Sequence, residues 1–208
     1  MQKLAVLISG SGSNLQAILD AIRSGLIKNG EVVLVVSNKA DAYGLVRAEK
    51  AGLPWLTLDP KDYKGRLEYD QALAQALLDA HCDLVILAGF MRILGPDFIR
   101  TFEGRILNIH PSLIPAFSGP GFYGLKVHEA ALKAGVKLSG ATVHLVNEVC
   151  DGGKILAQEA IEVLPDDSPE SLQARILNEL EHKLYPRVIE EYCKVMEAKH
   201  GGEENESL

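Results

Sequence analysis

Asn108 and His110 are the residues whose types and spacing point most directly to chemistry. They stand two positions apart in the apolar stretch RILNIH, and Pro111 follows. Residues two apart in a strand lie on the same face, so the Asn amide and the His imidazole can approach one atom together. Two such donors suit an oxyanion that develops on a carbonyl carbon, and His can also move protons near neutral pH. A buried, hydrogen-bonded strand histidine is the alternative, and it is preferred for a His taken alone.

Asp151, in the motif CDGG, is a second candidate for the same chemistry. An Asp-Gly-Gly sequence is most often only a turn. A carboxylate brought beside His110 would favour the imidazolium ion, raise the pKa of the imidazole and hold its orientation. About forty residues separate the two, so their spacing does not show that they meet. His144, in ATVHLV, and His128, in LKVHEAAL, are further candidates for the wall of a pocket.

A loop rich in glycine and serine, SGSGSNLQAI, follows the first apolar run and opens a helical pattern. Glycines let the backbone pass close to a ligand, and the free N–H groups at a helix start favour an anion such as phosphate. Ser13 and Asn14 add donors or a cap. Leu15 stands where the dinucleotide-binding fingerprint needs its third glycine, and no Gly-Lys-Ser is present for a nucleotide triphosphate. A tight turn before a capped helix explains the loop equally well.

The stretch LAGFMRIL, residues 87–94, lies at the carboxyl end of a predicted buried strand. Ligands of open α/β sheets bind at that edge. Three apolar side chains there, Met91, Ile93 and Leu94, could line a slot for a flat aromatic ligand that bonds to the backbone. The alternative, favoured for this stretch alone, places them in the core and leaves Arg92 as a solvated charge.

The first half of the chain alternates short apolar runs with longer helical patterns. The apolar runs are KLAVLIS, VVLVVS and DLVILAGF, and the helical patterns are a segment from about Asn14, AYGLVRAEKAG and LEYDQALAQALLDAH. Strands buried on both faces are continuous in Val, Ile and Leu, so the alternation predicts a parallel sheet covered by helices. We therefore expect a doubly wound, mainly parallel α/β fold with helices on both faces.

The pattern changes after RILNIH. A loop over residues 111–123 leads to a helix across LKVHEAALKAG, and then NEVCDGG joins GATVHLV to KILAQEAIEVL. This join is typical of a turn and predicts an antiparallel C-terminal addition to the sheet. Ser168 and Pro169 fit the N-cap and first residue of a long helix. The apolar positions of that helix are Leu172, Ile176, Leu180 and Leu184. We expect one domain over residues 1–197 and a disordered tail at 198–208.

The composition fits a soluble globular protein. Of 208 residues, 47% are hydrophobic and 24% charged, and the formal net charge of -7 argues against a nucleic-acid surface. The first apolar run is too short for a signal peptide, and no later run is long enough to cross a bilayer. Three widely spaced cysteines form no C-x-x-C pair, so neither a disulfide framework nor a zinc site is indicated. We expect a reducing, cytoplasmic location.

Taken together and in order, these segments resemble the phosphoribosylglycinamide formyltransferases, which are folate-dependent enzymes of purine biosynthesis. The resemblance rests on ISGSGSNLQAI, SNKADAYGLVRA, LAGFMRILGPDF, RILNIHPSLIPAF, SGATVHLVNEVCDGG and EHKLYPRVI, and it covers about residues 3–192. The N-x-H-P-S motif with a downstream Asp is shared by formyltransferases that use 10-formyltetrahydrofolate. The glycine-serine-asparagine loop and F-M-R-I-L narrow the resemblance to this branch.

The resemblance implies two small-molecule substrates, 10-formyltetrahydrofolate as co-substrate and glycinamide ribonucleotide as acceptor, with no metal, nucleic acid or membrane. The chain would act as a monomer or a homodimer. For catalysis the resemblance implies Asn108, His110 and Asp151. For substrate binding it implies Gly12, Ser13, Asn14 and Glu181. For folate binding it implies Arg66, Met91, Arg92, Ile93, Leu94, Asn108 and His144.

Three departures from the family pattern stand out. The loop FSGPGFYGLKVH is longer than the usual P-G-L-x-x-H version, and we expect its FSGPG part to border the substrate without supplying chemistry. The stretch from Arg175 to Glu181 is one residue longer than usual, so the Tyr185-Pro186 pair alone anchors the assignment of Glu181. Lys154 replaces a frequent proline.

Three other functions are compatible with parts of the pattern. A formyltetrahydrofolate hydrolase would use water in place of the amine, but it would not need the phosphate loop. A methionyl-tRNA formyltransferase fits poorly with an acidic chain. A nucleotide-binding α/β module without catalytic activity is the alternative from a different class.

Overall fold

A seven-stranded mixed sheet is the centre of the fold in the computed structural model, which describes the backbone of residues 1–203 and the side chains of residues 1–198. The strands are β1 (Gln2–Ile8), β2 (Gly30–Ser37), β3 (Trp55–Thr57), β4 (Leu84–Leu87), β5 (Ile106–His110), β6 (Leu138–Leu145) and β7 (Ile155–Glu162). Their order across the sheet is β3-β2-β1-β4-β5-β6-β7. Strands β1 to β5 are parallel, whereas β6 is antiparallel to both of its neighbours.

Helices cover both faces of this sheet. They are α1 (Ser13–Arg23), α2 (Tyr43–Lys50), α3 (Arg66–Asp79), α4 (Pro96–Thr101), α5 (Leu125–Ala134), α6 (Pro169–Arg175) and α7 (His182–Glu203). A 3₁₀ turn forms at Pro60–Asp62, and a π-helical turn, Ile176–Glu181, joins α6 to α7. The predicted doubly wound sheet with an antiparallel C-terminal addition is confirmed.

Separate apolar clusters lie on the two faces of the sheet. Because side chains alternate along a strand, β1 sends Leu4, Val6 and Ile8 into one cluster and Ala5 and Leu7 into the other. Helices α1, α2, α5, α6 and α7 cover the first cluster, and α3 and α4 cover the second. The central strand β4 is buried along its whole length, whereas the edge strand β7 alternates between exposed and half-buried residues.

The strand order reverses between β1 and β4. In an open α/β sheet this reversal opens a crevice beyond the carboxyl ends of the strands. The loops after β1, β4 and β5 all leave the sheet at this edge. The buried Tyr185 lies beneath it, with its hydroxyl 3.0 Å from the carbonyl oxygens of both Leu87 and Leu107. This contact ties the ends of β4 and β5 to α7.

The C-terminal helical run differs from the single helix that the sequence predicts. The predicted cap is present, because the Ser168 side chain accepts a hydrogen bond from the backbone N–H of Ser171 in a capping box. The π-helical turn then interrupts the run. Leu180, predicted for the apolar stripe, is only half-buried, and Glu181 takes the buried position instead.

The sequence patterns also left some elements unpredicted. Strand β3 has only three residues, and its Trp55 is exposed, so no apolar run marks it. Helix α4 has six residues and begins at Pro96. Helix α7 continues to Glu203, and the remainder of the predicted tail, residues 204–208, lies outside the described part of the chain. No helix within residues 1–203 has the length and apolar character needed to span a membrane.

Candidate active site

A cavity of about 810 Å³ opens at the carboxyl edge of the sheet, where the strand order reverses. All but one of the predicted site residues line it, and those that do are Gly12, Ser13, Asn14, Met91, Arg92, Ile93, Leu94, Asn108, His110, His144, Asp151 and Glu181. In the described part of the chain, no three His, Cys, Asp or Glu side chains are grouped closely enough to hold a metal ion.

Arg66 is the predicted site residue that lies outside this cavity. It lines a smaller hollow of about 270 Å³ between α3 and α4. Its guanidinium donates to the carbonyl oxygen of Leu94 and lies 3.6 Å from the carboxylate of Asp70. Arg66 therefore contacts the apolar segment of the cavity from behind, at its last residue.

His144 fixes the orientation of the Asn108 amide. The Nδ1 atom of His144 lies 3.0 Å from the carbonyl oxygen of Leu145, and because a carbonyl can only accept, Nδ1 carries the proton. Burial lowers the pKa of His144, so its ring is neutral and its Nε2 is an acceptor. Asn108 Nδ2 donates to that Nε2 over 3.1 Å. The second N–H of Asn108 is left for a ligand.

A main-chain carbonyl holds the His110 ring through its Nε2 atom. Its Nε2 lies 2.9 Å from the carbonyl oxygen of Phe117 and therefore carries a proton, by the same argument. Its Nδ1 faces the carboxylate of Asp151 at 3.7 Å, which is too long for a hydrogen bond, and an ion pair forms there only when Nδ1 also carries a proton. His110 and Asp151 are both buried or nearly so.

The Asp151 carboxylate interacts with His110 rather than with His144. One of its oxygens lies 3.8 Å from His144 Nε2, but that nitrogen carries no proton, so no ion pair forms there. The other oxygen accepts a hydrogen bond of 2.8 Å from the backbone N–H of Gly119. The structure thus places the three predicted catalytic residues in one cluster, joined by His144 and the loop after β5.

The glycine loop between β1 and α1 packs directly on the start of α2. Gly12 has a left-handed φ of 67°, and a Cβ atom built on it would lie 2.6 Å from the Cα of Gly44. The N–H of Gly44 donates to Gly10 over 3.0 Å, and Arg47 donates to the carbonyl of Ser11 over 2.9 Å. In the described structure no side chain caps α1, so the N–H groups of its first turn are available to an anion. No local pattern marks Gly44 or Arg47 as part of this site, because both act on a loop that is distant in sequence.

Asn14 and Glu181 form a buried pair behind this loop. Asn14 Nδ2 donates to a carboxylate oxygen of Glu181 over 2.7 Å. Burial raises the pKa of Glu181 to about 7, and this hydrogen bond opposes the shift. The Oδ1 atom of Asn14 has no hydrogen-bond partner among the described residues. A carboxyl group that lines the cavity can accept from an amine, amide or hydroxyl when it is ionised, and donate to an oxygen when it is protonated.

The segment after β4 partly fits the predicted apolar slot. Met91 and Ile93 are 54% and 60% exposed and line the cavity, whereas Leu94 is buried in the core. The backbone N–H of Met91 donates to the hydroxyl of Ser9 over 2.8 Å, which ties this segment to the end of β1. Two exposed apolar side chains beside each other on a cavity wall mark a surface for an apolar ligand.

Arg92 is not the solvated charge of the alternative interpretation. Its guanidinium lies 4.3 Å from the centre of the Tyr69 ring, a cation-π contact. Its Nε is buried and has no hydrogen-bond partner among the described residues. The contact fixes the side chain at the rim of the apolar segment.

His128 forms part of the cavity wall, as the sequence suggested. It is fully buried, and burial lowers its pKa to about 4, so the ring is neutral. Neither of its ring nitrogens has a hydrogen-bond partner within the described residues. Unsatisfied buried polar atoms are rare in native proteins and call for an explanation, such as a ligand or water that completes them.

Comparisons with known proteins agree on one family. The family model described as formyl transferase matches residues 2–189. The phosphoribosylglycinamide formyltransferase of Haemophilus influenzae is 47% identical over 189 residues, which cover 91% of this chain and 86% of that protein. The trifunctional purine biosynthetic protein adenosine-3 of Drosophila melanogaster is 48% identical over 189 residues, covering 90% of this chain and 14% of that protein. The crystal structure of glycinamide ribonucleotide transformylase 1 from Symbiobacterium toebii has a TM-score of 0.88 and 48% identity, covering 93% of this chain and 88% of that one.

Proposed function

The chain belongs to the formyl transferase family, and on this premise we propose that it transfers a formyl group from 10-formyltetrahydrofolate to the amine of 5'-phosphoribosylglycinamide. The products are N-formylglycinamide ribonucleotide and tetrahydrofolate, in de novo purine biosynthesis. The observation that carries the proposal is a single cavity that combines an anion-binding loop, an Asn-His-Asp cluster and an apolar wall. The single domain at residues 1–197, the monomeric or homodimeric state and the cytoplasmic location stay predictions from the sequence.

The phosphate of the ribonucleotide is assigned to the glycine loop. Gly12, Ser13 and Asn14 begin α1, whose free N–H groups and dipole favour a dianion. The close packing of Gly12 on Gly44 holds these groups in place before the ligand arrives. Such preorganisation lowers the entropy cost of binding.

The glycinamide part is assigned to Glu181. This residue lines the same cavity and accepts a hydrogen bond from Asn14 of the glycine loop. An amide or ribose hydroxyl placed here would meet a carboxyl group that can both accept and donate, since its pKa is about 7. The unpartnered Oδ1 of Asn14 offers a further acceptor.

The folate is assigned to the segment after β4, because the residues present fit a flat aromatic ligand. Met91 and Ile93 supply an exposed apolar surface, and the buried Nε of Arg92 lacks a partner that a ligand carbonyl or carboxylate could supply. Arg66, bonded to Leu94 from behind, would act at the outer end of this segment. The co-substrate supplies the formyl group, and the chain supplies orientation.

The chemistry requires only that an amine attack the formyl carbon. A C–N bond forms between them, the bond from the formyl carbon to the folate nitrogen breaks, and the proton lost by the amine ends on that nitrogen. Asn108 and His110 stabilise the negative charge that develops on the formyl oxygen, Asn108 with the N–H that His144 leaves free. The carboxylate of Asp151 lies 3.7 Å from Nδ1 of His110, where it can stabilise positive charge that develops on the ring.

The test is to mix the chain with both substrates and follow the absorbance of the folate. Release of tetrahydrofolate only when the ribonucleotide is present, with formyl label recovered on its amine, is the expected result. Release without the ribonucleotide would identify a hydrolase. If neither mixture released tetrahydrofolate, the chain would be a binding module and the proposal would be wrong.

A further inference from the structure

The loop between β5 and α5 contacts the catalytic cluster at two points of its main chain. The carbonyl oxygen of Phe117 accepts the Nε2–H of His110 over 2.9 Å, and the N–H of Gly119 donates to Asp151 over 2.8 Å. These residues belong to the FSGPG stretch, which the sequence analysis expected to border the substrate without any part in the chemistry.

We propose that the main chain of residues 117–119 positions His110 and Asp151 for the transfer reaction, so that Nδ1 of His110 is the nitrogen that gains and loses the proton. This inference rests on the proposed function, since it concerns the same catalytic pair. No side chain of the loop is required. The groups that act are a carbonyl and an amide.

The carbonyl of Phe117 selects one tautomer of His110. A neutral imidazole has one N–H and one acceptor nitrogen. Because the Phe117 carbonyl can only accept, it stabilises the form with the proton on Nε2 and leaves Nδ1 as the basic nitrogen. That nitrogen faces Asp151 at 3.7 Å, inside the cavity. The wrong tautomer would place an N–H where a proton must be accepted, and tautomer errors are costly in histidine catalysis.

The amide of Gly119 fixes the partner of that nitrogen. Asp151 has a left-handed φ of 55°, which aims its carboxylate into the cluster. Only one of its oxygens accepts the Gly119 N–H, at 2.8 Å, and the same oxygen is the one nearest His110 Nδ1. The two contacts therefore hold both members of the pair from one short segment.

The conformation of the loop makes both contacts possible. Phe117 has a φ of 50° and Gly119 a φ of 89°, and both lie in the left-handed region. The Ser112 hydroxyl donates to Ala116 over 2.6 Å, and the N–H of Phe122 donates to Gly119 over 3.1 Å. These bonds anchor the segment at both ends without using the catalytic groups, so it can act as a fixed support.

Four variants test the proposal. Phe117→Pro fixes φ near −65° and turns the carbonyl away, whereas Phe117→Gly allows the positive φ and should keep the contact. Gly119→Ala strains the backbone that carries the amide. Gly135→Ala is the matched control, because Gly135 also has a positive φ, 69°, an added Cβ meets nothing within 4 Å at either position, and Gly135 does not line the cavity. Only Gly119 contacts Asp151.

We expect Phe117→Pro and Gly119→Ala to lower kcat by roughly 100-fold with KM changed less than about threefold, because orientation is lost and binding is not. Phe117→Gly should recover most of the loss, and Gly135→Ala should keep kcat within about threefold of the parent. ¹⁵N-histidine NMR, at a pH where the ring is neutral, should show His110 protonated at Nε2 in the parent and a mixture of tautomers in Phe117→Pro.

Equal losses of kcat in Gly119→Ala and Gly135→Ala would overturn the proposal, as would an unprotonated Nε2 in the parent protein. The NMR measurement does not depend on folding of the proline variant. If the parent transferred no formyl group to the ribonucleotide, the proposed function would fail instead. The NMR measurement of the His110 tautomer would still test whether the loop positions His110.

Discussion

Two buried glutamates in the C-terminal helical run have pKa values that are shifted in opposite directions. Burial acts to raise the pKa of Glu190, but the backbone N–H groups of Asn29 and Lys28, together with the side chains of Lys194 and Asn29, hold the pKa below its ordinary value. Burial likewise raises the pKa of Glu181, to about 7, and Asn14 alone opposes it. Glu190 anchors α7 to the turn before β2, whereas Glu181 lines the cavity.

The two glutamates show how a carboxyl group that stabilises the fold differs from one that lines the cavity. At Glu190 the fold itself supplies enough donors for the buried charge, so the carboxylate is stable without a ligand. Around the cavity, Glu181, Asn14 and His128 are buried with too few partners inside the described structure. Groups left short of partners cost free energy in the empty protein, and bound substrates can recover it.

Of the variants considered, Asn108→Ala, in the cavity, should have the largest effect on kcat. This variant removes one of the two donors to the oxyanion, so kcat should fall roughly 100- to 1,000-fold. The free energy of unfolding should change little, because Asn108 is only half-buried. Steady-state kinetics and urea unfolding measure the two quantities. Turnover close to that of the parent would show that Asn108 has no such role.

Glu181→Gln tests the raised pKa. A carboxyl group whose folded-state pKa is raised from 4.5 to about 7 contributes stability that is fully present below pH 4.5 and lost as the pH rises through 7. The glutamine variant lacks this loss, so its stability relative to the parent should increase by about 3 kcal/mol from pH 4.5 to pH 8. Urea unfolding across this range measures the difference. Parallel pH curves would contradict the assignment.

Glu190→Gln should show the opposite sign. The folded-state pKa of Glu190 is depressed, so its stabilisation is present above pH 4.5 and lost as the pH falls through the folded-state pKa. At pH 7 the variant should be about 2 kcal/mol less stable than the parent, because three hydrogen bonds to a charged acceptor are weakened. Its kcat should equal that of the parent. If the stability of this variant relative to the parent changed with pH in the same direction as for Glu181→Gln, the contrast between the two carboxyl groups would be wrong.

Ser168→Ala should have the smallest effect, and it should alter the stability of the fold without altering the cavity. Loss of the capping box at the start of α6 should reduce the free energy of unfolding by about 1 kcal/mol. The loss should be independent of pH between 5 and 8, and kcat should be unchanged. Thermal unfolding with activity assays on the same samples measures both. A large loss of activity would mean that α6 positions the site more directly than the structure indicates.

The sequence predicts much of this arrangement because local rules decide it. Alternation places Asn108 and His110 on one face of β5, and both line the cavity. Continuous apolar runs such as that of β4 identify buried parallel strands. Ser168 and Pro169 mark the start of α6 by their chemistry alone.

Other features depend on contacts between distant segments, and no local pattern encodes them. The bond from Asn108 to His144 crosses between β5 and β6, and it depends on a tautomer that Leu145 sets. A side chain at Gly44 is excluded by residues distant in sequence, because an added Cβ would lie 2.3 Å from Cδ1 of Ile8 and 3.1 Å from the Cα of Gly12. The contacts of Phe117 with the catalytic cluster arise from backbone conformation, which side-chain types do not reveal.

The π-helical turn at Ile176–Glu181 has a consequence for how the chain tolerates changes in length. In an α-helix each added residue rotates everything beyond it by about 100°. A π turn accommodates an extra residue locally, and the buried positions move here from a spacing of four to a spacing of five, from Ile176 to Glu181. Deletion of one residue on the exposed side of this turn, at Asn178 or Glu179, should therefore restore α-helical spacing locally, while α6 and α7 keep their orientations and the acidic side chain stays in the cavity.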